Sequence, residues 1–220
     1  MFEVNTTYYN ADRTQWAEIG LADNVLAFDV EYPILKPVVD VYSSHSLFVD
    51  IYDVPEENRL DTLSAYEKVA REALDKGDRV YWIEIYDHSL ISVSFHEFTF
   101  DHLPHLFCRF DSTLAGMMIV RREKWIKEFS PLFTKAYIDR EMDQCKQWLD
   151  AYINGYVYEV YVNDRDDSYS LGFFCNEEDA IKAKCAELPD CIYTDDDFEI
   201  EEISVHYSLK QPKPGSMARA

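Results

Sequence analysis

The stretch from Asp87 to Cys108, DHSLISVSFHEFTFDHLPHLFC, holds four of the chain's six histidines, His88, His96, His102 and His105, together with a cysteine and several carboxylates. Residues of these types could bind a metal ion or move protons. Their spacing argues against both. His102, His105 and Cys108 fall at i, i+3 and i+6, but Pro104 interrupts a helical reading, and zinc signatures pair CxxC or HExxH with defined partners. Ser112 follows Asp111 without the glycines of a nucleophile elbow. Cys108 and His105 are neighbours in sequence, whereas catalytic Cys–His pairs come together from distant segments. Asp87 before His88 could orient an imidazole, yet Asp at a hairpin tip is ordinary turn chemistry. Read as a strand, the segment turns Ile91, Val93 and Phe95 to one side and Ser92, Ser94 and His96 to the other. This reading assigns no catalytic residue, metal ligand or cofactor. It keeps Asp87, His88, His96 and Asp111 as an alternative pocket for an enzyme or a small ligand.

The elements around this stretch read as mixed α and β. VLAFDV (25–30), PVVDVY (37–42) and SLFVDIYDV (46–54) are β-rich runs. Asp61 is placed to cap a helix carrying Leu63, Tyr66, Ala70, Ala73 and Leu74 on one stripe, with Gly77 as its stop. RVYWIEIYD (79–87) and SLISVSF (89–95) form a hairpin, and GMMIVRR (116–122) is a strand leading into a short EKWIKEF helix. A long amphipathic helix is predicted over 131–154, capped by Ser130, opened by Pro131 and ended by Asn154–Gly155. Ile138, Met142, Cys145, Leu149 and Tyr152 make its apolar face. YVYEVYVND (156–164) and YSLGFF (169–174) form a second hairpin, and Asn176 with Asp179 caps a helix to about residue 188. FEIEEISVHY (198–207) reads as a closing strand with a bulge near Glu201 and Glu202. The expectation is an α+β fold with a mainly antiparallel sheet. Residues 1–78 would form a β-rich region with one helix, 79–208 the core and 209–220 a loose tail.

The 220 residues carry 42 acidic and 21 basic side chains, a net charge of −21. Residues 1–60 balance at −8, residues 61–139 at −3 and residues 140–205 at −13, so both flanks are acidic around a nearly neutral middle. That field repels nucleic acid and anionic membrane and attracts basic surfaces. No run approaches the roughly 20 apolar residues of a membrane helix. The opening MFEVNTTYYNADR has neither a basic nor an apolar leader region. Five cysteines without a CxxC read as reduced thiols, which places the expected compartment in the cytoplasm. Arg121, Arg122, Lys124 and Lys127 form a basic patch, expected to pair with nearby acids.

The pieces YDHS (86–89), DSTLAG (111–116), IVRREKW (119–125), the long helix, GYVYEVYV (155–162) and LGFF (171–174) form a pattern. It resembles a widespread family of proteins encoded by bacteriophages and other mobile elements. Leu90 departs from the family's glycine after YDHS, and Thr113–Leu114 departs from its DSG. The resemblance covers about half of the chain and leaves out the first 78 residues. It implies a phage or mobile-element origin in a bacterial host cell and brings no activity with it.

Three carboxylate clusters remain: Asp164, Asp166 and Asp167; Glu177, Glu178 and Asp179; and Asp195, Asp196, Asp197, Glu199, Glu201 and Glu202. Helix N-terminal acids explain the second cluster. No EF-hand loop is present to make any of them a calcium site. Carboxylates at i and i+2 on a strand lie about 6.6 Å apart, comparable to successive phosphates on one nucleic-acid strand. The expected function is therefore stoichiometric protein binding. The partner would be a basic-surfaced nuclease or nucleic-acid-binding complex of bacterial defence (restriction or CRISPR), engaged by mimicry of nucleic acid. No direct nucleic-acid or membrane contact is expected. A non-mimic adaptor and a homodimer through an aromatic-rich face stay open as alternatives.

Overall fold

The computed structural model describes residues 3–9, 15–22, 31–164 and 167–187. Among them lie two four-stranded sheets and five α-helices, and every strand pair is antiparallel. This is the α+β fold that the mixed element order predicts. The chain divides into two compact units, residues 1–25 with 155–220 and residues 26–154.

In the second unit the sheet order is β3 (Val39–Tyr42), β6 (Ser112–Val120), β4 (Arg79–Asp87) and β5 (Ile91–Glu97). β4 is central, and six successive residues from Val80 to Ile85 are buried, as a strand covered on both faces requires. Trp82 packs with Ala70 and Ala73 of helix α2 (Leu63–Asp75), while the neighbouring Tyr81 hydroxyl donates to Asp139 of helix α4 (Lys135–Asn154) at 2.9 Å. Adjacent strand residues face opposite sides, so α2 and α4 lie on opposite faces of the sheet. Helix α1 (Ser46–Tyr52) joins α4 through the Tyr52 hydroxyl, 3.8 Å from the Cys145 thiol. Burial pushes that thiol up to about 12. Helix α3 (Arg122–Glu128) follows β6 and buries Trp125.

The first unit pairs β1 (Glu3–Tyr9), β2 (Gln15–Leu21), β7 (Tyr158–Asp164) and β8 (Asp167–Phe174) in that order. Helix α5 (Glu177–Glu187) covers Ala17, Ile19, Val160 and Val162 through Ala180. Lys184 is 2% exposed, with its ammonium 4.0 Å over the Tyr8 ring.

Several elements differ from the sequence reading. SLFVDIY is helix α1 rather than a strand, because Phe48, Ile51 and Tyr52 at i, i+3 and i+4 bury one helical face. The long helix starts at Lys135. Ser130 instead accepts from the Leu132 N–H at 3.2 Å, and Thr134 receives the Tyr137 and Ile138 N–H groups. The N-cap position of α2 falls on Thr62, one residue after Asp61, with no side-chain cap bond, and Leu63 and Leu74 of the predicted apolar stripe are exposed. β6 begins at Ser112, four residues before the predicted strand. Residues 31–78 pack with 79–154, since β3 pairs with β6 and α2 covers β4. The runs at 25–30 and 198–207 lie outside the described residues.

β5 is an edge strand, and its first half is covered by side chains of α4. Asn154 accepts the Ile91 N–H at 3.1 Å and donates to the Ile91 carbonyl at 2.7 Å, while Asp150 accepts the Val93 N–H at 2.7 Å. Asn154→Ala removes both bonds to Ile91, and with each worth about 0.5–1.5 kcal/mol the expected loss is about 1–3 kcal/mol in urea unfolding. Faster hydrogen exchange at the Ile91 amide would accompany it, and unchanged exchange would contradict this role.

Candidate functional site

The strand hairpin β4–β5 and the loop 98–111 bring the chemistry-bearing residues together. The register sets Trp82 opposite His96 and Glu84 opposite Ser94, so Glu84 and His96 share one face of the sheet. Glu84 is 1% exposed in the middle of an apolar strand. Its carboxylate accepts the Phe107 N–H at 2.7 Å, His96 Nε2 at 2.6 Å and the Ser112 hydroxyl. Burial pushes the Glu84 carboxyl up, but the bonds from Ser112, Phe107 and His96 outweigh it and hold the group below its usual range. With the carboxylate ionised, His96 Nε2 is the donor.

A second cluster lies at the start of β6. The Cys108 thiol donates to Asp111 Oδ2 at 3.4 Å, and His88 Nδ1 stands 3.7 Å from the same oxygen. Ser112 Oγ links the two clusters by accepting the Cys108 N–H at 3.0 Å. His88 is 65% exposed and stacks on Tyr86, while Asp87 ends β4 with its N–H bonded to the Asp111 carbonyl. Of the four alternative-pocket residues, the structure thus joins Asp87, His88 and Asp111 and commits His96 to Glu84.

The order of these groups decides what they can do. Activation of a hydroxyl or thiol needs an imidazole between the nucleophile and a carboxylate. Here the carboxylate is central in both clusters: Ser112–Glu84–His96 and Cys108–Asp111–His88. Neither serine nor cysteine is bonded to an imidazole; each meets a carboxylate directly. What the arrangement does accomplish is structural. Glu84 fastens the 98–111 loop across one face of the sheet at Phe107, and Phe107 packs edge-on against Tyr86 at 5.0 Å. A lone glutamate inside VYWIEIY was the sequence signal for this hub, since a charge buried on a central strand must be paired.

Among the described residues no group of three or more His, Cys, Asp or Glu side chains is placed to hold a metal ion, and no helix is long and apolar enough to cross a membrane. His102 and His105 are exposed in the loop, where the Thr99 hydroxyl donates to the His102 carbonyl.

Of the acidic clusters, Glu177, Glu178 and Asp179 are exposed at the start of α5. Asn176 Oδ1 accepts the Asp179 N–H at 2.9 Å and its Nδ2 donates back to the Asp179 carboxylate, a reciprocal cap. Lys182 pairs with both Glu178 and Asp179. Asp164 and Asp167 stand opposite each other at the end of the β7–β8 hairpin. Asp166 and the six acids from Asp195 to Glu202 lie outside the described residues. The basic patch is largely consumed: Arg121 holds Asp40 at 2.6 Å and Asp78 at 2.9 Å, Lys124 holds Asp40 at 2.8 Å, and Lys127 holds Glu128 at 3.3 Å. A groove of about 520 Å³ lies beside it, lined by Lys76, Asp78, Arg122 and Glu123 among others. No protein-family model, curated protein or solved structure matches the chain.

Proposed function

We propose that this protein works by stoichiometric binding, presenting its acidic surface to the basic groove of a nuclease or other nucleic-acid-binding complex in the cytoplasm of a bacterial cell. One observation carries the reading: acids outnumber bases 42 to 21 along the chain, and many of the described cations are already held in ion pairs within the fold. Lys36, Arg79, Arg121, Lys124, Lys135, Lys146 and Lys182 each hold a carboxylate at 3.4 Å or closer. The exposed acids Glu177, Glu178 and Asp179 at the start of α5 supply carboxylates on a helix. The phage and mobile-element resemblance of residues 86–174 supports a target in bacterial defence. The carboxylate-centred order of the two polar clusters gives the enzyme alternative no comparable support.

The test is capture from bacterial lysate on the tagged protein at low salt, with elution by a salt gradient. A nuclease or nucleic-acid-binding complex that elutes as salt rises, and that duplex DNA competes off, is the expected result. A partner that resists both would overturn the electrostatic reading in favour of an apolar contact.

A further inference from the structure

The Phe98 N–H donates to the Val80 carbonyl of β4, so the even-numbered residues of β5 turn their backbone groups inward. Ile91, Val93, Phe95 and Glu97 therefore turn theirs outward along the sheet edge. One polar stripe of α4 runs beside them. At its C-terminal end Asp150 and Asn154 take up backbone groups of Val93 and Ile91. Further along, Asp139 takes the Tyr81 hydroxyl and Lys135 rather than the strand's backbone, and a groove of about 420 Å³ opens there, lined by Ser94–Glu97, Asp139, Met142 and Asp143 among others. Among the described residues nothing reaches the N–H or C=O of Phe95 or Glu97.

We propose that this groove takes an extended basic peptide segment of a partner protein, added as a fifth strand on the uncovered half of the β5 edge. The inference does not rest on the acidic-surface reading above, since it needs only this groove. Strands added to an open edge gain affinity from backbone bonds and specificity from alternate side chains. Ser94 to Glu97 offers a length of about 13 Å, enough for roughly four residues at a strand's rise. The charge is set by the groove walls. Lys135 is shared between Glu97 and Asp139, and Lys146 is held by Asp150, which leaves Asp143 exposed without a cation among the described residues. A lysine or arginine on the incoming strand supplies the missing charge, and an acidic strand meets repulsion. The same field disfavours a second copy of this chain.

The probes are an acetylated, amidated Lys-Val-Lys-Val-Lys peptide, its Glu-Val-Glu-Val-Glu counterpart, and the basic peptide with its backbone nitrogens methylated. They are titrated into the full chain labelled with nitrogen-15. The basic peptide is expected to move the Phe95 and Glu97 amide signals saturably. The methylated and acidic peptides should bind at least about fivefold more weakly, the worth of one backbone bond. Asp143→Lys should weaken the basic peptide while leaving the melting curve unchanged, because Asp143 is exposed. Absence of a saturable shift at Phe95 and Glu97, or equal binding of the methylated peptide, would overturn the proposal. So would equal binding of the acidic peptide, or a free chain that sediments as a dimer with those two amides already protected.

Discussion

Glu84→Ala is expected to cost about 3 kcal/mol in urea unfolding at pH 7, in the range for breaking a buried, hydrogen-bonded charge network. The carboxylate is 1% exposed and serves three donors, of which two are set at 2.6 and 2.7 Å. Its removal leaves the Phe107 N–H and the Ser112 hydroxyl without their acceptor and frees the 98–111 loop. Exchange at the Phe107 amide should rise with the loss of stability. Glu84→Gln keeps one acceptor oxygen and should cost less. The folded protein holds this carboxyl below its ordinary value of 4.5, so the stability it contributes is fully present above that pH. It is lost as pH falls through the folded value. Stability of Glu84→Gln should therefore depend less on pH than the parent's below about pH 4.5. Parallel acid-unfolding curves would show that Glu84 is not the ionised hub described above.

The second large effect is expected at Gly116. A Cβ there would sit 2.4 Å from the Tyr42 carbonyl oxygen and 2.8 Å from the Ser43 Cβ, contacts that neither backbone can relieve by rotating a side chain. The position lies where the β4–β6 register shifts, Ile83 facing Gly116 and Glu84 facing Leu114. That bulge, which the Ser43 hydroxyl braces by donating to the Ala115 carbonyl at 2.6 Å, precedes the strand end that carries Ser112 to Glu84. Gly116→Ala should cost at least about 3 kcal/mol by overpacking and backbone displacement. For a chain of this size the melting temperature should fall by about 6–12 °C. A melting temperature within about 2 °C of the parent would mean that β3 and β6 can part without loss.

Local patterns were legible wherever one element carries its own signal. The hairpins β4–β5 and β7–β8, the apolar stripe Ile138–Met142–Cys145–Leu149 and the Asn176–Asp179 cap follow from spacing alone. Helix α1 was not, because SLFVDIY fits both a period of two and an i, i+3, i+4 face, and only the packing against α4 selects the helix. The start of α4 was misplaced since Ser130–Pro131 has the chemistry of a helix entry without being one. The polar clusters depend on contacts across 12 to 28 residues, from Glu84 to His96, Phe107 and Ser112, which no local spacing encodes. The tie of His96 to Glu84 required the strand register.

The central claim is that binding is carried by outward acidic charge. The most direct measurement is the affinity of the captured partner as salt is raised. Ion-pair binding predicts a linear fall of log K with log salt, amounting to at least about tenfold between about 50 and 200 mM. An affinity constant within about twofold over that range would contradict the claim and place the contact on an apolar surface instead.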